Sequence, residues 1–240
     1  MISVCIATYN GEKYIKEQIL SILAQLSTKD EIIISDDGST DHTITKILEI
    51  SSPIIKIVYN QNEHGYTANF ENALKNAKGN FIFLSDQDDI WEPNKVACCM
   101  EHFKKYDFII SDATIIDANN HVLAPSFYKK RRSKPGLFNN LLRFSYLGCC
   151  LAFKKEILQR ALPFPKDHKM CTHDNWLTII GMRYYNSIII PDKLIRYRRY
   201  DSNTSSGGLQ KTTTFLFKIK YRLYIIYWLL QRKNDQLKGV

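Results

Sequence analysis

No run of about 18 apolar residues occurs in the 240 residues, so a membrane-spanning helix is not expected. The opening MISVCIATYN has neither a basic leader nor a cleavage site and reads as a strand, so secretion is not expected. Six cysteines are present without a single C-x-x-C spacing, which argues against a zinc site or a redox dithiol; reduced cysteines in the cytosol fit best. No internal repeat is visible. Acid is scarce in one region only. Residues 1–192 balance 22 Lys/Arg against 22 Asp/Glu, whereas the last 48 residues hold 11 basic and 2 acidic side chains and carry the whole net charge of +9. A neutral body with a basic tail implies that the tail meets an anionic surface.

What is present is a rhythm. Apolar, strand-like runs at Ile2–Thr8, Glu31–Ser35, Ile54–Tyr59, Phe81–Leu84 and Phe108–Ser111 alternate with amphipathic segments. These segments lie near Tyr14–Ala24, Thr43–Ile50, Tyr66–Lys78 and Pro93–Tyr106; in the first, Ile15, Ile19, Ile22 and Leu23 share one helical face. Such alternation predicts an α/β fold, a doubly wound, mostly parallel, Rossmann-like sheet with helices on both faces. Ligands of such sheets collect beyond the carboxyl ends of the strands. Three polar clusters sit there and are expected to converge on one rim: Thr8-Tyr9-Asn10-Gly11, Asp36–Asp41 and Asp86–Asp89. After Ala113 the rhythm loosens into a basic loop (125–136), a helix over Leu137–Phe144, the apolar GCCLAF (148–153), a helix over Asp174–Tyr184, and strands at Ser187–Ile190 and Leu194–Arg198. Gly207-Gly208, in a Ser/Thr/Gly-rich stretch, reads as a hinge or mobile loop.

The chemistry concentrates in FIFLSDQDDIW (81–91). A buried strand runs into Asp86, Asp88 and Asp89, which repel one another unless a cation or a proton sits among them. Asp86 and Asp88, two apart, face the same side of an extended strand end. Hard oxygen ligands so placed suit a divalent metal, and the metal suits a phosphate-bearing substrate. Asp37 closes the second strand, where a carboxylate can accept the imide N–H of uracil or thymine; Thr40 or Asp41 is placed to cap the next helix. Tyr9, just past the first strand, is placed to stack on the same base.

Together VCIATYNGEKYI (4–15), EIIISDDGSTD (31–41), FIFLSDQDDIWEPNKV (81–96), THDNW (172–176) and YRRYDSNTSSG (197–207) resemble the family 2 glycosyltransferases with the GT-A fold. DQDDIW, GCCLAF and HDNW most resemble the bacterial rhamnosyltransferases that build surface polysaccharide. The resemblance implies that Ala7, Tyr9 and Asp37 bind the nucleotide, with Asn69 on the diphosphate side. It implies that Asp86 and Asp88 hold Mn²⁺ or Mg²⁺, Asp88 the more directly, and that Asp174 is the catalytic base of an inverting transfer. Where relatives often carry a histidine, this chain has Tyr200, so that phenol or Arg199 is expected to serve. His173 is expected to be an orienting neighbour or a surface residue. Trp176 reads equally as a sugar-stacking platform or a buried helix residue.

The implied donor is dTDP-rhamnose or a UDP-hexose, and the implied acceptor a saccharide or a lipid-linked one. Residues 1–112 are expected to bind the nucleotide sugar and 113–207 the acceptor. Residues 208–240 form a basic amphipathic tail for a membrane surface or a homodimer contact, which would place the protein at the cytoplasmic face of the plasma membrane. Two other readings stand beside this one. A non-catalytic nucleotide-sugar-binding subunit of the same fold is the first. A nucleic-acid module is the second, and it is disfavoured because the tail's basic residues mingle with Trp228 and an aliphatic block.

Overall fold

The computed structural model describes residues 1–200 and 214–237. The expected hinge at Gly207-Gly208 and the 208–213 start of the tail lie outside them. One nine-stranded sheet runs through the molecule in the order β3-β2-β1-β4-β8-β6-β9-β5, with β7 beside β6. Strands β1 (Ile2–Thr8), β2 (Glu31–Asp36), β3 (Ile55–Tyr59) and β4 (Phe81–Asp86) are parallel. Their residues alternate between two cores. Val4, Ile6, Ile32, Ile34 and Phe83 join one core with Ile15, Ile19 and Ile22 of α1 (Ile15–Leu23). Cys5, Ile33, Ile82 and Leu84 join the other with Phe70, Ala73 and Leu74 of α3 (Tyr66–Asn76). Both faces being buried explains why these strands are apolar runs rather than alternating ones.

β4 is followed by the two-residue strand β5 (Ile90–Trp91) and by α4 (Lys95–His102). The second half of the chain extends the same sheet. β8 (Leu151–Lys154) inserts antiparallel between β4 and β6 (Phe108–Ile116), and β9 (Ser187–Arg198) runs parallel to β6. β9 is one strand where two were expected. Pro191 lacks an N–H, and the β6 register jumps there, from Ile110–Ile189 to Asp112–Lys193, so the strand passes through without a break. The basic loop contains β7 (Val122–Ala124) and α5 (Phe127–Arg131), the latter capped by the Ser126 hydroxyl accepting from the Lys129 N–H. α6 (Leu137–Leu142) follows, and α7 (Ile157–Ala161) and α8 (His173–Tyr184) pack across the second core.

The tail is α9 (Phe215–Leu237). It packs on the body through Ile225, fully buried, with Tyr221, Tyr224, Trp228 and Leu229 around it. No helix among the described residues is long and apolar enough to cross a membrane.

Candidate active site

The order of β2, β1 and β4 places the crevice where the chain reverses its winding, at the carboxyl ends of those strands. A cavity of about 1280 Å³ opens there. That exceeds the roughly 300–1,000 Å³ of an ordinary small-molecule pocket and leaves room for two substrates. Ala7, Tyr9, Asp37, Asn69, Asp86, Asp88, Asp174, Arg199 and Tyr200 all line it.

Ala7 is the register partner of Asp86 across β1 and β4, so the two strand ends meet. Gln87 ties the loops beyond them. Its Oε1 accepts from the Thr8 hydroxyl at 2.7 Å and the Tyr9 N–H at 2.9 Å, and its Nε2 donates to the Tyr9 carbonyl. Gly11 is required for this: a Cβ there would fall 2.4 Å from Gln87 Oε1.

Asp37 is held by neighbours that the sequence reading did not single out. Asn60 Nδ2 donates to Oδ1 at 2.7 Å, while the Gly65 N–H at 2.7 Å and His64 Nδ1 at 2.9 Å meet Oδ2. A carboxylate accepts about four hydrogen bonds, so about one remains for a ligand N–H. The His64 ring also meets Tyr9 edge-on, centroids 4.7 Å apart. NQNEHG (60–65) is a polar cluster just past β3, and the strand-end rule applied to the other strands would have found it. Asp41 accepts from the Thr43 N–H at 2.9 Å, at the start of α2 (Thr43–Leu48).

Around the metal candidates, charge is poorly compensated. Burial, then the charges of Asp88 and Asp174, push the Asp86 carboxyl up to about 7. Burial also raises Asp88, although the Tyr200 hydroxyl donates to its Oδ2 at 2.8 Å. Asp89 is raised well above its ordinary value by burial and by both neighbours; its Oδ1 accepts from the Arg198 N–H at 2.9 Å, and its buried Oδ2 has no partner among the described residues. Asp86, Asp89 and the Cys149 thiol offer ligand atoms within 4.8 Å of one another. Burial keeps Cys149 a neutral thiol, so oxygens alone supply negative charge here. Raised, mutually repelling carboxylates with an orphaned oxygen fit a hard divalent cation such as Mg²⁺ or Mn²⁺. Buried Arg198 braces the loop, its guanidinium donating to the Asp88 carbonyl at 2.7 Å and to Glu17 at 2.8 Å. Arg199 donates to the Tyr197 hydroxyl at 3.2 Å.

Asp174 enters from α8. Its Oδ1 accepts from the Thr172 hydroxyl at 2.5 Å and the Asn175 N–H at 2.8 Å. Thr172, not Asp174, holds the N-cap position. Tyr66 lies in the field of both sides of the cavity: burial, then Asp174 and Asp86, raise its hydroxyl to about 12.

Asn69 is buried, its Nδ2 donating to the Thr8 carbonyl at 3.1 Å. Trp176 is fully buried with its indole N–H on the Ala161 carbonyl at 2.8 Å, which rules out sugar stacking. His173 is buried as well, so its surface reading is corrected. It stacks on Phe70 with centroids 4.1 Å apart, and neither ring nitrogen has a partner among the described residues. Burial lowers it to about 4, against about 6.5 in the unfolded chain. The unfolded state therefore binds more protons between those values, and stability present above pH 6.5 is lost as pH falls toward 4. Between pH 7 and pH 5 the wild type should lose melting temperature more steeply than His173→Gln. Parallel curves for the two proteins would refute a buried neutral imidazole.

The profile of Glycosyl transferase family 2 matches residues 3–162. The chain is 30% identical over 213 residues to the UDP-Glc:alpha-D-GlcNAc-diphosphoundecaprenol beta-1,3-glucosyltransferase WfgD of Escherichia coli, covering 88% of this chain and 82% of that one. It is 30% identical over 235 residues to the dTDP-rhamnosyl transferase RfbG of Shigella flexneri, covering 90% and 76%. Among solved structures it resembles residues 1–349 of S. aureus TarS in complex with UDP-GlcNAc, with a TM-score of 0.72 and 18% identity. That match covers 95% of this chain but 66% of the TarS chain, just under two thirds of it. The shared architecture is the GT-A fold, an α/β sheet with helices on both faces.

Proposed function

The chain belongs to glycosyl transferase family 2, and from that membership we propose that it moves one sugar from a nucleoside diphosphate to a saccharide or lipid-linked acceptor. The observation that carries this reading is that Asp37, Asp86, Asp88 and Asp174, from three separate stretches of chain, line one cavity. Residues 1–112 take the donor and 113–207 shape the acceptor side. Asp37 accepts the imide N–H of a pyrimidine through its remaining lone pair, and Tyr9, 44% exposed, offers its ring face to the base. Asp86 and Asp88, with Asp89 behind them, hold Mn²⁺ or Mg²⁺, which when bound neutralises charge on the departing diphosphate. The Tyr200 hydroxyl orients Asp88.

Asp174 removes the proton of the acceptor hydroxyl as that oxygen attacks the anomeric carbon opposite the leaving group. A single displacement of this kind inverts the anomeric configuration. The donor we favour is dTDP-rhamnose, then UDP-hexoses, in keeping with the donors named for RfbG and WfgD. The protein would work at the inner face of the plasma membrane, held there by its basic tail. One observation favours a second reading, a non-catalytic nucleotide-sugar-binding subunit: the Tyr200 hydroxyl occupies one Asp88 oxygen. Slow donor hydrolysis by the purified protein would dismiss it.

The test is a thermal-shift screen of nucleotide sugars with and without Mn²⁺. A ligand at 100 times its Kd stabilises by about 2.7 kcal/mol. At roughly 2–4 °C per kcal/mol for a chain this size, the correct donor should raise Tm by more than about 5 °C, and only with the metal. No shift with any pyrimidine donor would sink the assignment.

A further inference from the structure

Side chains of the opposite sign also line the cavity: Arg143, Lys169, Lys218 and Arg222. None of the four makes an ion pair among the described residues. Like charges are also crowded there: Arg131 is held below its usual range by burial and then by the charge of Arg143.

Hydrogen bonds make these side chains one continuous basic wall. Arg222 donates to the carbonyls of Leu141 (3.1 Å) and Leu142 (2.5 Å), fastening α9 to α6. Arg131 donates to the Phe144 carbonyl at 3.2 Å. Tyr224 on α9 accepts from the Asp167 N–H at 2.8 Å, next to Lys169, and Tyr221 accepts from Asn175, the neighbour of Asp174, at 2.6 Å. The basic wall therefore adjoins the Asp174 end of the cavity. Apolar side chains are interleaved with it: Leu142, 49% exposed, Phe144 and Phe217 line the same cavity.

The outer face of α9 continues that apolar character. Leu216, Ile219, Leu223, Ile226 and Leu230 recur at three- and four-residue spacing and are all exposed. Lys218, Lys220 and Arg222 are interspersed with them. A helix with an apolar stripe and basic neighbours suits the interface of an anionic bilayer.

We propose that Arg143, Lys169, Lys218 and Arg222 form a subsite for the phosphate of a lipid-linked acceptor, which α9 delivers from the bilayer on which its apolar stripe rests. The inference rests on the transferase reading and deepens it by assigning the acceptor's anionic group a place apart from the donor's. Cations next to Asp174 would hold the acceptor so that its sugar hydroxyl reaches the base, while the lipid leaves past Leu142 and Phe217.

The experiment uses the full chain with chelator present, so that the donor-side carboxylates repel rather than bind diphosphate. Farnesyl diphosphate, inorganic pyrophosphate and farnesol are titrated separately by calorimetry. Farnesyl diphosphate is expected to bind at least roughly tenfold more tightly than either of the others, and Arg143→Ala/Lys218→Ala to weaken it by roughly tenfold or more. In parallel, the wild type should co-sediment with vesicles containing phosphatidylglycerol, and Leu223→Glu/Leu230→Glu should not. Equal binding of pyrophosphate and farnesyl diphosphate, or binding unchanged in the double alanine variant, overturns the proposal. So does an unchanged vesicle-bound fraction of the double glutamate variant. Titration of a nucleoside diphosphate with Mn²⁺ into the wild type separates the two claims. Its binding without that of farnesyl diphosphate refutes the acceptor subsite alone, whereas no nucleotide binding refutes the transferase reading beneath it.

Discussion

Asp174→Asn is expected to lose transfer by about 10²–10⁴-fold, the range a positioned general base contributes, while binding the nucleotide sugar as the wild type does. The amide is isosteric and still accepts from the Thr172 hydroxyl and the Asn175 N–H through its carbonyl oxygen, so α8 keeps its first turn. What disappears is the basic oxygen that takes the acceptor's proton. Removing a like charge from the field of Asp86 should also let that carboxyl ionise more readily, because Asp174 is one of the charges that raise Asp86. The measurement is kcat beside the donor Kd for both proteins. Transfer within a few-fold of wild type would reduce Asp174 to a structural residue of the helix start.

Asp86→Asn should behave in the opposite way on stability. In chelator, its carboxylate is crowded by Asp88 and Asp174 and buried, and it costs stability as pH rises through about 7. The neutral amide relieves that cost, so at pH 8 without metal the variant should melt several degrees above the wild type. Each 1 kcal/mol gained corresponds to about 2–4 °C. Turnover, by contrast, should fall with the loss of a metal ligand. Lewis-acid stabilisation worth several kcal/mol corresponds to roughly 10²–10⁴ in rate. Added Mn²⁺ should raise the wild-type Tm and leave that of the variant nearly unchanged. A variant that is both less stable in chelator and still metal-responsive would contradict the role given to Asp86.

The first half of the fold was legible because its signals are local. β1, β2 and β4 are buried on both faces and so read as unbroken apolar runs, and each ends in a polar cluster within one or two residues. The second half was less legible because its order depends on distant pairing. Nothing near Leu151–Lys154 tells that β8 inserts antiparallel between β4 and β6, and β5 and β7 are too short to carry a period. Supporting residues escaped for the same reason. His64 matters through Asp37, 27 residues away, and Arg198 through Asp88 and Glu17, 110 and 181 residues away. Cys149 was visible only as part of an apolar run, although its thiol adjoins Asp86 and Asp89. The tail showed its basic and apolar residues in the sequence, but which of them face the body was decided by packing around Ile225.

One donor molecule is expected to reach from Asp37 to the Asp86–Asp89 carboxylates with its sugar facing Asp174. A crystal structure of Asp174→Asn with Mn²⁺ and the donor chosen by the thermal-shift screen measures this directly. The pyrimidine is expected against Tyr9 and Asp37, the cation on Asp86 and Asp88, and the anomeric carbon on the side of residue 174. A nucleotide bound outside this cavity, or a sugar turned away from residue 174, would contradict it.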